Sequence, residues 1–338
     1  MMGEQTVWHH VERQEFGVLN SISAMIRTQE WRNPGLLTSV RLGPTLVIAS
    51  DYGGEHSRST CLTLSFLVAD LKYLWLWEEL RTRIRTRVLK DARTMSFSRL
   101  TEARRAQALV PFLRAANTIP GLLATFVIDK RVRTLFDWNK SDIVEERNVI
   151  DRTRWNKRSF EKLVRVAYFG GLLLAGMSRP GQSVLWITDQ DDIVANDTKH
   201  IEATRVLGCV TGQYIPHPMG HFRLGSTRGD TGMQGTEDLA AIPDLAAGSL
   251  ADLISAATAE GIFPTRVMSP QPPNVSQKAR AVVAWMAERH HPLKKIAVFL
   301  EHVSCNAARP HLIELAVQGP LPEYDWVPEF PLLRRVWE

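Results

Sequence analysis

Three short apolar runs, each rich in β-branched or aromatic residues and each running into an acid, constrain the fold of this chain more than anything else in it. TLVIAS (45–50) meets Asp51, LLATFVI (122–128) meets Asp129 and SVLWIT (183–188) meets Asp189. Runs of this length bounded by turn residues read as buried strands. TCLTLSFLVA (60–69) follows the first run across the turn DYGGEHSRS and reads as its hairpin partner. The segments between the strands keep helical spacing instead. Leu76, Leu80, Ile84 and Val88 form an i, i+4 stripe, and helical patterns recur over 98–117, 159–177, 200–215 and 236–257. GHFRLGST (220–227) reads as a further strand, and Pro243 falls inside the last of these helices, where it marks a kink or a first turn. Strands alternating with helices predict an α/β core of mixed sheet and flanking helices.

The chain has 338 residues, 44% of them hydrophobic, enough for a large core. Residues 1–39 read as an N-terminal extension with a helix around 16–31, residues 40–262 as the core, and 275–338 as a helical C-terminal subdomain behind the breaker-rich FPTRVMSPQPPNV (263–275). In that subdomain 277–290 and 293–303 are expected as helices. Cys61, Cys209 and Cys305 are far apart and suggest neither a disulfide framework nor a zinc site. The polar N-terminus and the lack of a long apolar run predict a soluble, cytoplasmic protein with no membrane partner. No Gly-x-Ser-x-Gly elbow or phosphate-binding glycine loop occurs.

Several acids at strand ends imply a shared cation, because converging carboxylates are costly to bury alone. Asp244 strengthens this expectation, since it interrupts an apolar helix among Ile242, Leu245 and Ala246; Glu237 lies two turns before it on the same face. Asp191 and Asp192 compete with Asp189 for the third position. Net charge is +5, but the basic residues cluster. Arg81, Arg83, Arg85 and Arg87 lie along one helix, and Arg154, Lys157 and Arg158 surround Trp155 and Phe160, a pattern suited to phosphate tracking and base stacking. His217 and His221 are candidate general bases, although Pro218 and Gly220 keep them off one helical face.

The order of strand with acid, hairpin, helices, strand with acid, helix, strand with acid and closing helix with acid resembles the ribonuclease H-like fold. IASDYGGEH (48–56) and AIPDLAAGSLADL (241–253) are similar to the opening strand and closing helix of the family called domain of unknown function 3800, over about residues 45–255. The resemblance implies a two-metal nuclease acting on DNA or RNA with Mg²⁺ or Mn²⁺, in a phage-defence or mobile-element setting. Asp51 would bridge the metals, Asp129 or Asp189 would complete the ligand set, and Asp244 would bind the second metal. Tyr52 stands where the family has Glu, and the closing Asp follows Pro243; Glu55 would supply the missing oxygen. The alternative is a catalytically silent subunit of a larger assembly that binds nucleic acid or protein, with the C-terminal helices as a docking element for a protein partner.

Overall fold

The apolar runs lie side by side in one sheet. The structure, a computed structural model, describes residues 6–12, 17–90, 92–136, 151, 154–189, 191–230, 232–262, 267–268 and 274–316. Its strands are β1 (Thr45–Gly53), β2 (Cys61–Asp70), β3 (Gly121–Asp129), β4 (Ser183–Thr188), β5 (Phe222–Ser226), β6 (Val267–Met268), β7 (Leu293–Ser304) and β8 (Ala307–Leu315). Seven form a mixed sheet in the order β5-β4-β1-β2-β3-β7-β8, and the short β6 adds parallel to β8 at Glu314 and Leu315. The predicted hairpin is present: β1 and β2 are antiparallel, as are β2 and β3, whereas β4 pairs parallel to β1 and β5 parallel to β4. Gly54 makes the exit from β1 possible, because its φ is +76° and a Cβ there would stand 2.2 Å from the Cys61 carbonyl oxygen.

Helices α1 (Gly17–Arg32), α2 (Trp75–Arg87), α3 (Ala103–Ala116), α4 (Lys157–Met177), α5 (Asp197–Tyr214), α6 (Gly235–Ala259) and α7 (Gln277–Ala287) cover both faces. The period of two along β1 sorts them. Leu46 and Ile48 face a core shared with α1, α4 and α5; Val47 and Ala49 face a second core shared with α2, α3, α6 and α7. Side chains cap several helix starts: Asn156 accepts from Ser159 N–H, Asn196 from Lys199 N–H and Ser276 from Ala279 N–H. Helix α6 runs unbroken through Pro243; it has the length and composition of a membrane span, yet most of that stretch is buried inside the core.

The C-terminal segment departs from expectation. Residues 277–287 form the predicted helix α7, but 293–303, expected as a helix, lie in β7, which pairs parallel to β3 and antiparallel to β8. Ile296 through Leu300 are all buried, and a continuous apolar run carries no period by which helix and strand are told apart. The described part of 275–338 therefore extends the core sheet. Only α7 remains of the expected docking helices, and its Val282, Val283 and Trp285 are buried.

Candidate functional site

Strand parity decides where the acids go. Asp51 continues the face of Val47 and Ala49 and points toward α6, whereas Tyr52 takes the other face toward α4. Helix α6 packs along β1 and β2, held there in part by the Thr63 hydroxyl, which donates to the Ala247 carbonyl at 3.0 Å. This brings Asp244 toward Asp51. Asp189 follows directly after β4, the parallel neighbour of β1, and accepts from the Thr227 hydroxyl at 2.8 Å.

Electrostatics ties the three acids together. Burial, then the charges of Asp244 and Asp189, holds the Asp51 carboxyl well above the usual carboxylate range. Burial pushes Asp244 up to about 6, aided by Asp189 and opposed by two donors, the Phe97 N–H at 2.7 Å and the Ser96 hydroxyl. Glu237, in the first turn of α6, is also raised, by burial and then by Asp189. Asp189, in the loop after β4, is thus the shared neighbour: it raises Asp51 on β1 and both Asp244 and Glu237 on α6, and Asp244 in turn raises Asp51. Their hard oxygen donors fit Mg²⁺ or Mn²⁺, and a divalent cation would offset the repulsion. Among the described residues, no three acid, imidazole or thiol side chains stand close enough to enclose a metal ion as they are.

A second group lies on the α4 face. Lys162, which is 10% exposed, reaches Asp191 at 2.6 Å and Glu55 at 3.2 Å, and its ammonium sits 4.5 Å from the centroid of the Tyr52 ring. Against burial, which lowers it, those two acids raise Lys162. Glu55 is accordingly an ion-pair partner of Lys162 and Arg158, and the expectation that it completes a metal shell is corrected. Asp192 accepts from the Ser159 hydroxyl at 3.3 Å, and Asp191, although it also adds to the elevation of Asp51, is paired with Lys162; Asp189 is the member of its triplet that acts on both Asp51 and Asp244. Tyr52 does structural work: its hydroxyl bonds Ser50 at 3.0 Å and Thr188 at 3.2 Å, lacing β1 to β4.

Other sequence expectations are corrected. Asp129 is not brought to the cluster. Asp51 registers with Ser65 and Ser65 with Thr125, so Asp129 lies two strands across and four residues along, roughly 16 Å away by strand geometry. Burial alone would raise its carboxyl, but Arg131, at 2.6 Å, holds it below the usual range. His217 and His221 are at the other end of the sheet. His221 precedes β5, whose first residue registers with Val184 at the start of β4, and His217 bonds the Ser178 hydroxyl at 3.2 Å. Neither reaches the acids.

Most of the cationic residues are occupied. Arg81 is buried and bonds Glu78 and Asp238, Arg85 forks onto Asp238, and Arg83 pairs with Glu79 one turn away. Trp155, expected to stack on bases, is buried and donates to Glu202 at 2.6 Å, while Arg154 pairs with Asp151 at 3.0 Å. Arg87, Lys157 and Arg158 are exposed. Arg158 stands beside the carboxylate edge, donating to the Glu55 carbonyl at 3.2 Å.

Lys162, Ser96 and Phe97 have roles here that sequence reasoning did not reach. A lysine one turn into the apolar face of α4 was the available signal for the first, but nothing local announces a loop N–H aimed at an acid 147 residues away. No protein-family model matches the chain, and neither the curated proteins nor the solved structures compared with it gave a match.

Proposed function

We propose that the chain is a metal-dependent nuclease of ribonuclease H-like architecture, hydrolysing phosphodiester bonds of DNA or RNA with Mg²⁺ or Mn²⁺ held by Asp51, Asp189 and Asp244. The observation that carries this reading is the convergence of three acids from separate elements, Asp51 at the end of β1, Asp189 directly after β4 and Asp244 on the helix packed along β1, close enough that Asp244 and Asp189 both raise the buried Asp51. Support also comes from the topology, in which the acid-bearing β1 lies between its antiparallel hairpin partner and the parallel β4, which Asp189 directly follows. When bound, the metal supplies activation of a water and stabilisation of the leaving oxygen. The protein's own residues do the rest. Asp51, Asp189 and Asp244 provide oxygen ligands, and the Phe97 N–H and Ser96 hydroxyl orient Asp244. Glu237 stands beside Asp189, and Lys157 and Arg158 offer exposed cations at the same edge for the phosphate backbone.

A second reading, a catalytically silent nucleic-acid or protein-binding subunit, is favoured by one observation: much of the expected cationic surface is occupied within the fold, as Arg81 and Arg85 are by Asp238. The test is incubation of the full chain with labelled single- and double-stranded DNA and RNA in Mg²⁺, Mn²⁺ or chelator, beside Asp51→Asn. The expected outcome is metal-dependent cleavage that falls on the order of a hundredfold or more in the variant. Cleavage unchanged by Asp51→Asn overturns the assignment of the site, and binding without cleavage selects the second reading.

A further inference from the structure

Away from the carboxylates, three strands across the sheet from β1, a cavity of about 410 Å³ opens at the start of β7. It arises from a mismatch in pairing. β7 pairs with β3 from Leu293 onward but with β8 only from Ala297, so the sheet parts along the first residues of β7. The last turns of α1 and the end of α7 wall the opening.

Charge within the cavity is unbalanced. Arg32, Arg289 and Lys294 line it against Glu288 and Glu314, together with Lys295, whose ammonium is brought down to about 7 by burial. Both acids are already engaged: Arg289 binds Glu314 at 2.5 Å, and Glu288 accepts from Asn117 at 2.8 Å and lies 3.1 Å from His291. Lys295 spends its donors on the carbonyls of Trp285 at 3.0 Å and Glu288 at 3.1 Å, closing the C-terminal end of α7. Among the described residues neither Arg32 nor Lys294 has a carboxylate within ion-pair distance. Met25, Leu36, Ile296 and Leu312 give the same cavity an apolar lining.

We propose that this cavity binds a phosphate monoester with a flat apolar or heterocyclic body, of the size of a nucleoside monophosphate. Its volume lies in the range of pockets that take small organic ligands, roughly 300–1,000 Å³. An arginine fork and a lysine point charge, both lacking acids, suit a phosphate dianion. The apolar lining takes the body of the ligand, and Gln29 and Asn33, which also line the cavity, carry amides able to bond its polar edge. This site is independent of the carboxylate cluster and does not rest on the nuclease reading.

The test is isothermal titration of the full chain, in chelator, with adenosine, cytidine, guanosine and uridine monophosphates, with inorganic phosphate and with uncharged adenosine. It is repeated on Arg32→Gln, Lys294→Gln and Asp51→Asn. Expected is saturable binding of at least one monophosphate, tighter than inorganic phosphate or adenosine. Each cavity substitution should weaken it about tenfold, with the unliganded melting temperature unchanged, and Asp51→Asn should leave it intact. Four results overturn the proposal: no monophosphate binding at millimolar concentration, adenosine binding as tightly, affinity indifferent to both cavity substitutions, or loss of binding in Asp51→Asn.

Discussion

Asp51 shows how one carboxylate can oppose folding and still stand where the proposed metal site calls for an acid. Its charge is raised in energy by burial and by Asp244 and Asp189, so the protein without a divalent cation carries that repulsion in the folded state only. Asp51→Asn removes it while keeping the side chain's size. In chelator the variant should therefore be more stable than the parent by about 1 kcal/mol or more, read as a higher melting temperature. Mn²⁺ should then raise the parent's melting temperature by several degrees and leave the variant's unmoved, by mass action on the folded state. A variant no more stable than the parent in chelator would remove the repulsion argument. Asp51 and Asp244 were legible in the sequence for the reason that makes them costly: a lone acid in an apolar strand or helix needs a partner. Asp189 was legible only as one of TDQDD, because strand ends do not announce which of several neighbouring acids turns toward the sheet. Asp129 was misjudged because a strand end fixes the edge of the sheet on which an acid lies but not its distance along it.

Helices α2 and α6 are joined by a charge group that the sequence disguised. Arg81 and Arg85, one turn apart on α2, converge on Asp238, which is buried in the first turns of α6 and whose carboxyl burial raises against both arginines. An arginine stripe reads locally as a solvated or phosphate-binding face, and its acid lies more than 150 residues on. Asp238→Ala would leave the mostly buried Arg85 without its acid and Arg81 with Glu78 alone, and should cost about 3–5 kcal/mol in urea unfolding. Arg83→Ala, which breaks only the exposed pair with Glu79, should cost less than about 1 kcal/mol. Equal costs would contradict a buried clamp. The helix α4 interface is equally particular: a Cβ at Gly170 would stand 2.0 Å from the Trp186 ring, so Gly170→Ala should cost about 1–3 kcal/mol through overpacking. Helices with a stripe and strands with turn residues at both ends were readable because period and punctuation agreed. β7 was not, since a strand covered by helices on both faces has no polar side to set its period.

Across the whole molecule, one sheet carries two proposed sites that share no side chain. Lys294 registers with Leu122, Leu122 with Val68 and Val68 with Ile48, so the cavity lies three strand spacings, about 14 Å, to the side of β1, and Asp51 is three residues further along. At such separation, with no common partner, free energies add to within a few tenths of a kcal/mol. The tightly packed cores on the two faces of the sheet give each ligand the same folded state to stabilise. Melting the full chain with Mg²⁺, with a nucleoside monophosphate and with both should therefore give stabilisations that sum. Asp51→Asn should remove only the Mg²⁺ increment and Lys294→Gln only the nucleotide increment. A combined gain well above the sum would mean that the sheet couples the two ends, making the cavity an effector site. Loss of both increments on either substitution would mean that metal and nucleotide meet in a single site, and the separation argued from strand register would fall.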